Sequence, residues 1–125
     1  MDNDNTNKTN DLIRTSLMNI AIESWRFSRL FERVVGKLDI AEQKRYISQY
    51  RWFIKKLDES LIEADMRIEN VEGCIYDPGI AATAINLDEF EKNDQLIVDQ
   101  MLEPIIMGKE GLVKSGTITL RRADI

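Results

Sequence analysis

The stretch IAEQKRYISQYRWFIKKLDESLIEADMRIENV, residues 40–71, decides how this chain folds. Ile40, Ile47, Tyr50, Ile54, Leu57, Leu61, Ala64, Ile68 and Val71 recur in a three-four rhythm that only Gln43 breaks. Such spacing puts one side of a helix in apolar contact along its whole length. The rhythm predicts a helix from Ile40 to Ile68 or slightly beyond, about 43 Å long at 1.5 Å per residue. With Ile40 at a heptad a position, Ile47, Ile54, Leu61 and Ile68 are also a, and Gln43, Tyr50, Leu57, Ala64 and Val71 are d. β-Branched residues at a favour two parallel strands. The expected seam between two copies is therefore Ile40, Ile47, Tyr50, Ile54, Leu57, Leu61 and Ile68, making the protein a homodimer. The competing arrangement is a monomeric hairpin that uses the same seam internally. Tyr46 and Phe53 at g widen the stripe toward the preceding helix, and Trp52 at the outer f position is expected to pack on that helix.

Working back toward the N-terminus, a first helix is expected from about Thr9 or Asp11 to Val35. One stripe holds Ile13, Leu17, Ile20, Phe27, Phe31 and Val34, with Ser24 its only polar member. Met18, Ile22 and Trp25 form a second stripe, so this helix should meet two neighbours. Gly36 suits the end of the helix, and Asp39 with Glu42 suits the start of the next. The short link Gly36-Lys37-Leu38 folds the second helix back on the first. Residues 1–8, rich in Asp, Asn and Thr, are expected to be a disordered tail. The helical hairpin and dimerisation module then covers 9–72, and a small, mostly antiparallel β domain covers 73–125. The fold class is α+β: a long helical hairpin, dimeric as a coiled coil or four-helix bundle, followed by that β domain.

The grammar of the second half is that of strands. Asp77-Pro78-Gly79 suits a β-turn with Pro at its second position and Gly supplying positive φ at its third. Ile80 to Ile85 and Gln95 to Glu103 read as strands around an acidic loop, Leu87 to Asn93. Pro104 marks an edge or bulge because it lacks an amide donor. Ile105-Ile106-Met107 and Leu112-Val113-Lys114 flank the hairpin loop Gly108 to Gly111. Thr117 to Arg121 alternates cleanly, with Ile118 and Leu120 on one face. Cys74, between Gly73 and Ile75, is expected to be a small buried residue.

Composition narrows the chemistry. The 125 residues contain no histidine and one cysteine, and the net charge is −5. Without histidine the chain lacks the commonest general base and metal ligand, which argues against an enzyme; no catalytic residue, cofactor or metal site is expected. Gly108-Lys109 is followed by Glu110 and is not a phosphate loop. The carboxylates Asp88, Glu89, Glu91 and Asp94 lack the spacing of a calcium loop. A lone cysteine, no signal pattern and no apolar run of membrane-spanning length fit a cytoplasmic protein with no membrane partner. Residues 26–56 hold nine basic and three acidic side chains, whereas 57–125 hold six basic and fifteen acidic. Arg26, Arg29, Arg33, Lys44, Arg45, Arg51, Lys55 and Lys56 interleave with Trp25, Tyr46 and Trp52, a mixture able to grip phosphates and stack bases. No base-reading module accompanies them and the whole chain is acidic, so solvated helix faces are the favoured reading over a nucleic-acid ligand.

The C-terminal half resembles the GrpE family of nucleotide exchange factors for DnaK-type ATPase chaperones. The likeness is carried by Tyr76-Asp77-Pro78-Gly79, Gln95 to Met107, and the glycine-punctuated segment Gly108 to Leu120 ending in Thr-Ile-Thr-Leu. Asp77 and Pro78 match the pair that opens the β domain in that family, and Gly116 to Leu120 match its closing strand. Ala81 or Ala82 stands near the histidine common in the family, and Gly111-Leu112 replaces its glycine-aromatic pair. The resemblance implies a dimeric helical stalk with a β head, and a co-chaperone that promotes ADP/ATP exchange on a DnaK-type ATPase chaperone. Partner contact is expected at Met107, Lys109, Leu112, Arg121 and Arg122. The alternative is a helical-hairpin adaptor or assembly subunit with some nucleic-acid affinity.

Overall fold

The structure, a computed structural model, describes residues 2–123. It is α+β and divides into two compact units between Asp65 and Met66. The first is a helical hairpin, α1 (Asp2–Val35) and α2 (Ile40–Glu63). The second holds β1 (Met66–Glu69), β2 (Ala82–Ala84), β3 (Leu96–Glu103), β4 (Ile105–Gly108), β5 (Gly111–Lys114) and β6 (Gly116–Arg122), with a 3₁₀ turn at Leu87–Glu89.

Helix α1 begins two turns before the expected start, so the described part of the expected tail is helical. Its first residues are polar but not helix-breaking. The acidic side chain of Asp4 suits the positive end of the helix dipole, and the Thr9 hydroxyl donates back to the Asn5 carbonyl at 2.9 Å. At the other end the Gly36 amide donates to Glu32 O and that of Lys37 to Val34 O, closing the helix. Asp39 then caps α2 as expected, its carboxylate accepting from the Glu42 amide at 2.9 Å. Gln43, the one polar residue of the α2 seam, donates its side-chain amide to the carbonyls of Leu38 and Gly36 at 2.9 and 3.2 Å. A polar d position therefore satisfies carbonyls that the turn leaves without helical donors.

Helix α2 stops at Glu63, five residues short of the expected Ile68. Asp65 takes a left-handed φ of 59°, a conformation that Asp tolerates better than most residues. Beyond it Met66 to Glu69 form a strand antiparallel to β4, with Ile68 opposite Ile106. Ile68 and Val71 thus leave the helical seam, and the boundary between units lies at 65/66 rather than 72/73. A three-four rhythm continuing past a helix stop also satisfies strand alternation over four residues, which is why periodicity alone misplaced the end.

The β unit has two three-stranded sheets, β1-β4-β5 and β2-β6-β3. β2 runs parallel to β6, and every other pair is antiparallel. Val98, Met101, Ile105, Ile106, Ile118 and Leu120 form its core together with Pro104, which turns the chain from β3 into β4. Ile118 and Leu120 are buried between half-exposed Thr117 and Thr119, the expected alternation. The Asp77 turn forms, with Ile80 N donating to Asp77 O at 2.9 Å. Gly79 does not supply a positive φ, however; the positive-φ glycines are Gly73 and Gly111. Instead the Asp77 carboxylate accepts from the Gly79 amide at 2.8 Å, a side-chain turn that needs no left-handed residue.

Two side chains act as pieces of backbone in this unit. β3 shifts register twice along β6, and the Met101 amide beside these shifts donates to the Glu72 carboxylate at 2.8 Å. Asn86 extends the β2 ladder after the strand ends: its Oδ1 accepts from Leu120 N at 2.9 Å and its Nδ2 donates to Leu120 O at 3.0 Å. Asn86→Ala is expected to cost about 2 kcal/mol, because both Leu120 groups lose their partners together. Urea unfolding followed by circular dichroism measures it. An unchanged midpoint would show that water replaces the clamp at no cost.

Candidate functional site

The hairpin of β4 and β5 gathers three of the five residues expected to contact a partner. Its two-residue turn, Lys109-Glu110, lies between Gly108 and Gly111, and Gly111 has φ +124°. Met107 and Leu112 are directly opposed in the ladder. Opposed residues share a sheet face, so these two apolar side chains form a cross-strand pair with Lys109 at the adjoining tip. Met107 is half-buried, whereas Leu112 is 52 % exposed and Val113 42 %. A register shift between Ile106 and Met107 accommodates Val113 as the extra residue of β5.

Sequence reasoning missed Arg67. Assigned to the helix, it lies on β1 directly opposite Met107 and is exposed. Arg67, Met107 and Leu112 therefore make one row across the sheet, a cation followed by two apolar groups. The overlooked signal was Asp65, after which Met66-Arg67-Ile68-Glu69 alternates as a strand does.

Arg121 and Arg122 belong to the other sheet, at the end of β6. As neighbours on a strand they point to opposite faces. Each is held by a carboxylate, Arg121 Nε 3.5 Å from Asp99 Oδ1 and Arg122 Nε 3.4 Å from Asp94 Oδ2. Being half exposed, these pairs are worth at most about 1 kcal/mol and keep both guanidinium groups at the surface. Cys74, expected inside, is exposed on the segment beside β3, where its amide and carbonyl are engaged by Val71 and Val98. The backbone there is used as a strand edge, which turns the thiol outward.

The seam expected to join two copies is largely covered within the chain. Tyr50 stacks on Phe31 of α1 with ring centroids 6.5 Å apart, and its hydroxyl accepts from Arg29 at 2.7 Å. Arg29 also lies over the Trp25 ring, 4.0 Å from its centroid. Leu57 and Leu61 are buried, and Ile47 and Ile54 are half-buried. Ile40 remains exposed at the start of α2. Trp52 does not pack on α1; it is 60 % exposed, with the Lys56 ammonium 5.8 Å from its ring centroid. Partial burial raises the pKa of Asp58, which shares a shallow depression with Tyr50, Ile54 and Lys55.

Among the described residues, no group of three or more His, Cys, Asp or Glu side chains is placed to hold a metal ion, and no helix is long and apolar enough to cross a membrane. No family model, curated protein or solved structure matches this chain.

Proposed function

We propose that this protein is a non-enzymatic co-chaperone of the GrpE type, which promotes ADP/ATP exchange on a DnaK-type ATPase by binding its nucleotide-binding domain. The observation that carries the reading is the β4–β5 hairpin, with Leu112 and Val113 exposed on a short edge strand beside Met107 and Lys109. Solvated apolar side chains flanked by Lys109 and Arg67 suit a protein surface better than a small substrate. The order of a helical hairpin followed by a β unit agrees with the resemblance, as do Asp77-Pro78 at a turn before β2 and the Thr-Ile-Thr-Leu run in β6.

In this reading the β unit wedges against the nucleotide-binding domain and binds its open form more tightly than its closed form. That difference in affinity is the whole mechanism, since equal affinity for both forms would shift nothing. Coupling of ordinary size would weaken ADP binding on the order of tenfold or more.

The test is release of fluorescent ADP from a DnaK-type ATPase of the same cell, with and without the full chain. Acceleration is expected, and Leu112→Asp should remove most of it while leaving thermal unfolding close to wild type. Unchanged release, with no binding of the ATPase in a pull-down, would sink the proposal. A helical-hairpin adaptor would instead capture a partner without altering nucleotide release.

A further inference from the structure

The positive charge of the middle of the chain gathers on the outer side of α2. Residues 44–56 hold five basic side chains, Lys44, Arg45, Arg51, Lys55 and Lys56, and no acidic one. All five are exposed, as is Trp52. At about 100° per residue, Trp52 falls opposite the covered side marked by Tyr50, Leu57 and Leu61. Arg45 and Lys56 flank it on one side, and Lys44, Arg51 and Lys55 on the other. The helix thus presents two rows of cations, about 18 Å long, with an indole between them. Lys56 is engaged by Glu59 at 3.3 Å, but among the described residues Lys44, Arg45, Arg51 and Lys55 have no carboxylate partner. By contrast, Arg26, Arg29, Arg121 and Arg122 each lie within 3.7 Å of one. Like charges four residues apart, as at Arg51 and Lys55, weaken a helix, a local cost that a face of mixed sign avoids.

We propose that this face of α2 binds single-stranded nucleic acid, its phosphates along the cation rows and a base stacked on Trp52. Arg45 and Arg51 offer planar forks that match phosphate oxygens, and Lys44 and Lys55 add point charges. Trp52 selects the form of the ligand. Its ring is 60 % exposed, and stacking on it needs a base whose face is free, which a duplex withholds. A membrane surface fits less well, because binding there scales with buried apolar area and Trp52 is the one large apolar group between these cations. The net charge of −5 weighed against a nucleic-acid ligand in the sequence, but the acid surplus lies in residues 57–125, with six basic and fifteen acidic side chains. Within α2 the patch is bounded by Glu42 before it and by Asp58 and Glu59 after it. The proposal concerns the helical unit and stands whether or not the β unit binds an ATPase.

Fluorescence anisotropy of labelled oligothymidine and oligouridine, titrated with the full chain at about 50 mM salt, tests it. A Kd on the order of 10 µM is expected with at least one of the two, weakening about fiftyfold by about 200 mM salt, as four phosphate contacts require. Arg51→Ala combined with Lys55→Ala should halve the slope of log Kd against log salt. Trp52→Ala should weaken binding about tenfold with unchanged helical circular dichroism. In the wild-type chain the oligomer should quench Trp52 emission, while Trp25, 2 % exposed, keeps its own. No anisotropy change with either oligomer overturns the proposal, as does binding that Trp52→Ala leaves intact. Equal or tighter binding to phosphatidylserine vesicles or to polyglutamate would also overturn it, since the face would then be reading negative charge alone.

Discussion

Gly116→Ala is expected to destabilise the β unit by about 3 kcal/mol, the upper end of overpacking costs. A Cβ at this position would lie 2.6 Å from the Glu103 carbonyl oxygen, 2.9 Å from Ile105 Cγ1 and 3.1 Å from the Ile105 amide nitrogen. Two of these neighbours are backbone, at the corner where buried Pro104 carries β3 into β4, so no side-chain rotation relieves the contact. The Gly116 amide is also committed, donating to Ala81 O at 3.0 Å, which holds β6 in register with β2. The close approach of three strands is what requires glycine here. Urea unfolding of the variant should show the lower midpoint with an unchanged slope. A transition indistinguishable from wild type would mean that the corner can open without loss.

Leu61→Ala should cost a similar amount, about 3 kcal/mol, through the cavity left by a fully buried side chain. Its size matters less than its independence from association. Leu61 is covered within one chain, so its loss should be the same at any protein concentration. Were Leu61 instead part of a seam between copies, the cost would depend on protein concentration. Unfolding curves of the wild-type chain and of Leu61→Ala at two concentrations distinguish the cases.

The sequence was most legible where one residue's own chemistry settles the backbone. Asp39 names the start of α2 because its carboxylate can reach an amide three residues on. Alternation of Ile118 and Leu120 with Thr117 and Thr119 names β6 and its buried face. The hairpin at Lys109-Glu110 follows from glycines on both sides of two polar residues. In the candidate site this made Met107, Lys109 and Leu112 recoverable as one cluster. Arg67 was not, because its strand lay hidden in a rhythm that fits helix and strand alike.

Local chemistry, then, is enough to say that this chain is two helices followed by a small β unit. It also accounts for the turn at Asp77 and the hairpin at Lys109, since caps, turns and alternation act over four residues or fewer. What it could not decide is which of several apolar stripes is covered. α1 and α2 both carry heptad-spaced stripes, and periodicity ranks neither above the other. Packing made the choice when Tyr50 stacked on Phe31 and accepted from Arg29, which turned the α2 seam inward and left Ile13, Ile20, Phe27 and Val34 of α1 in solvent. Burial depends on what lies across from a side chain, and that is a property of the folded arrangement rather than of spacing along the chain.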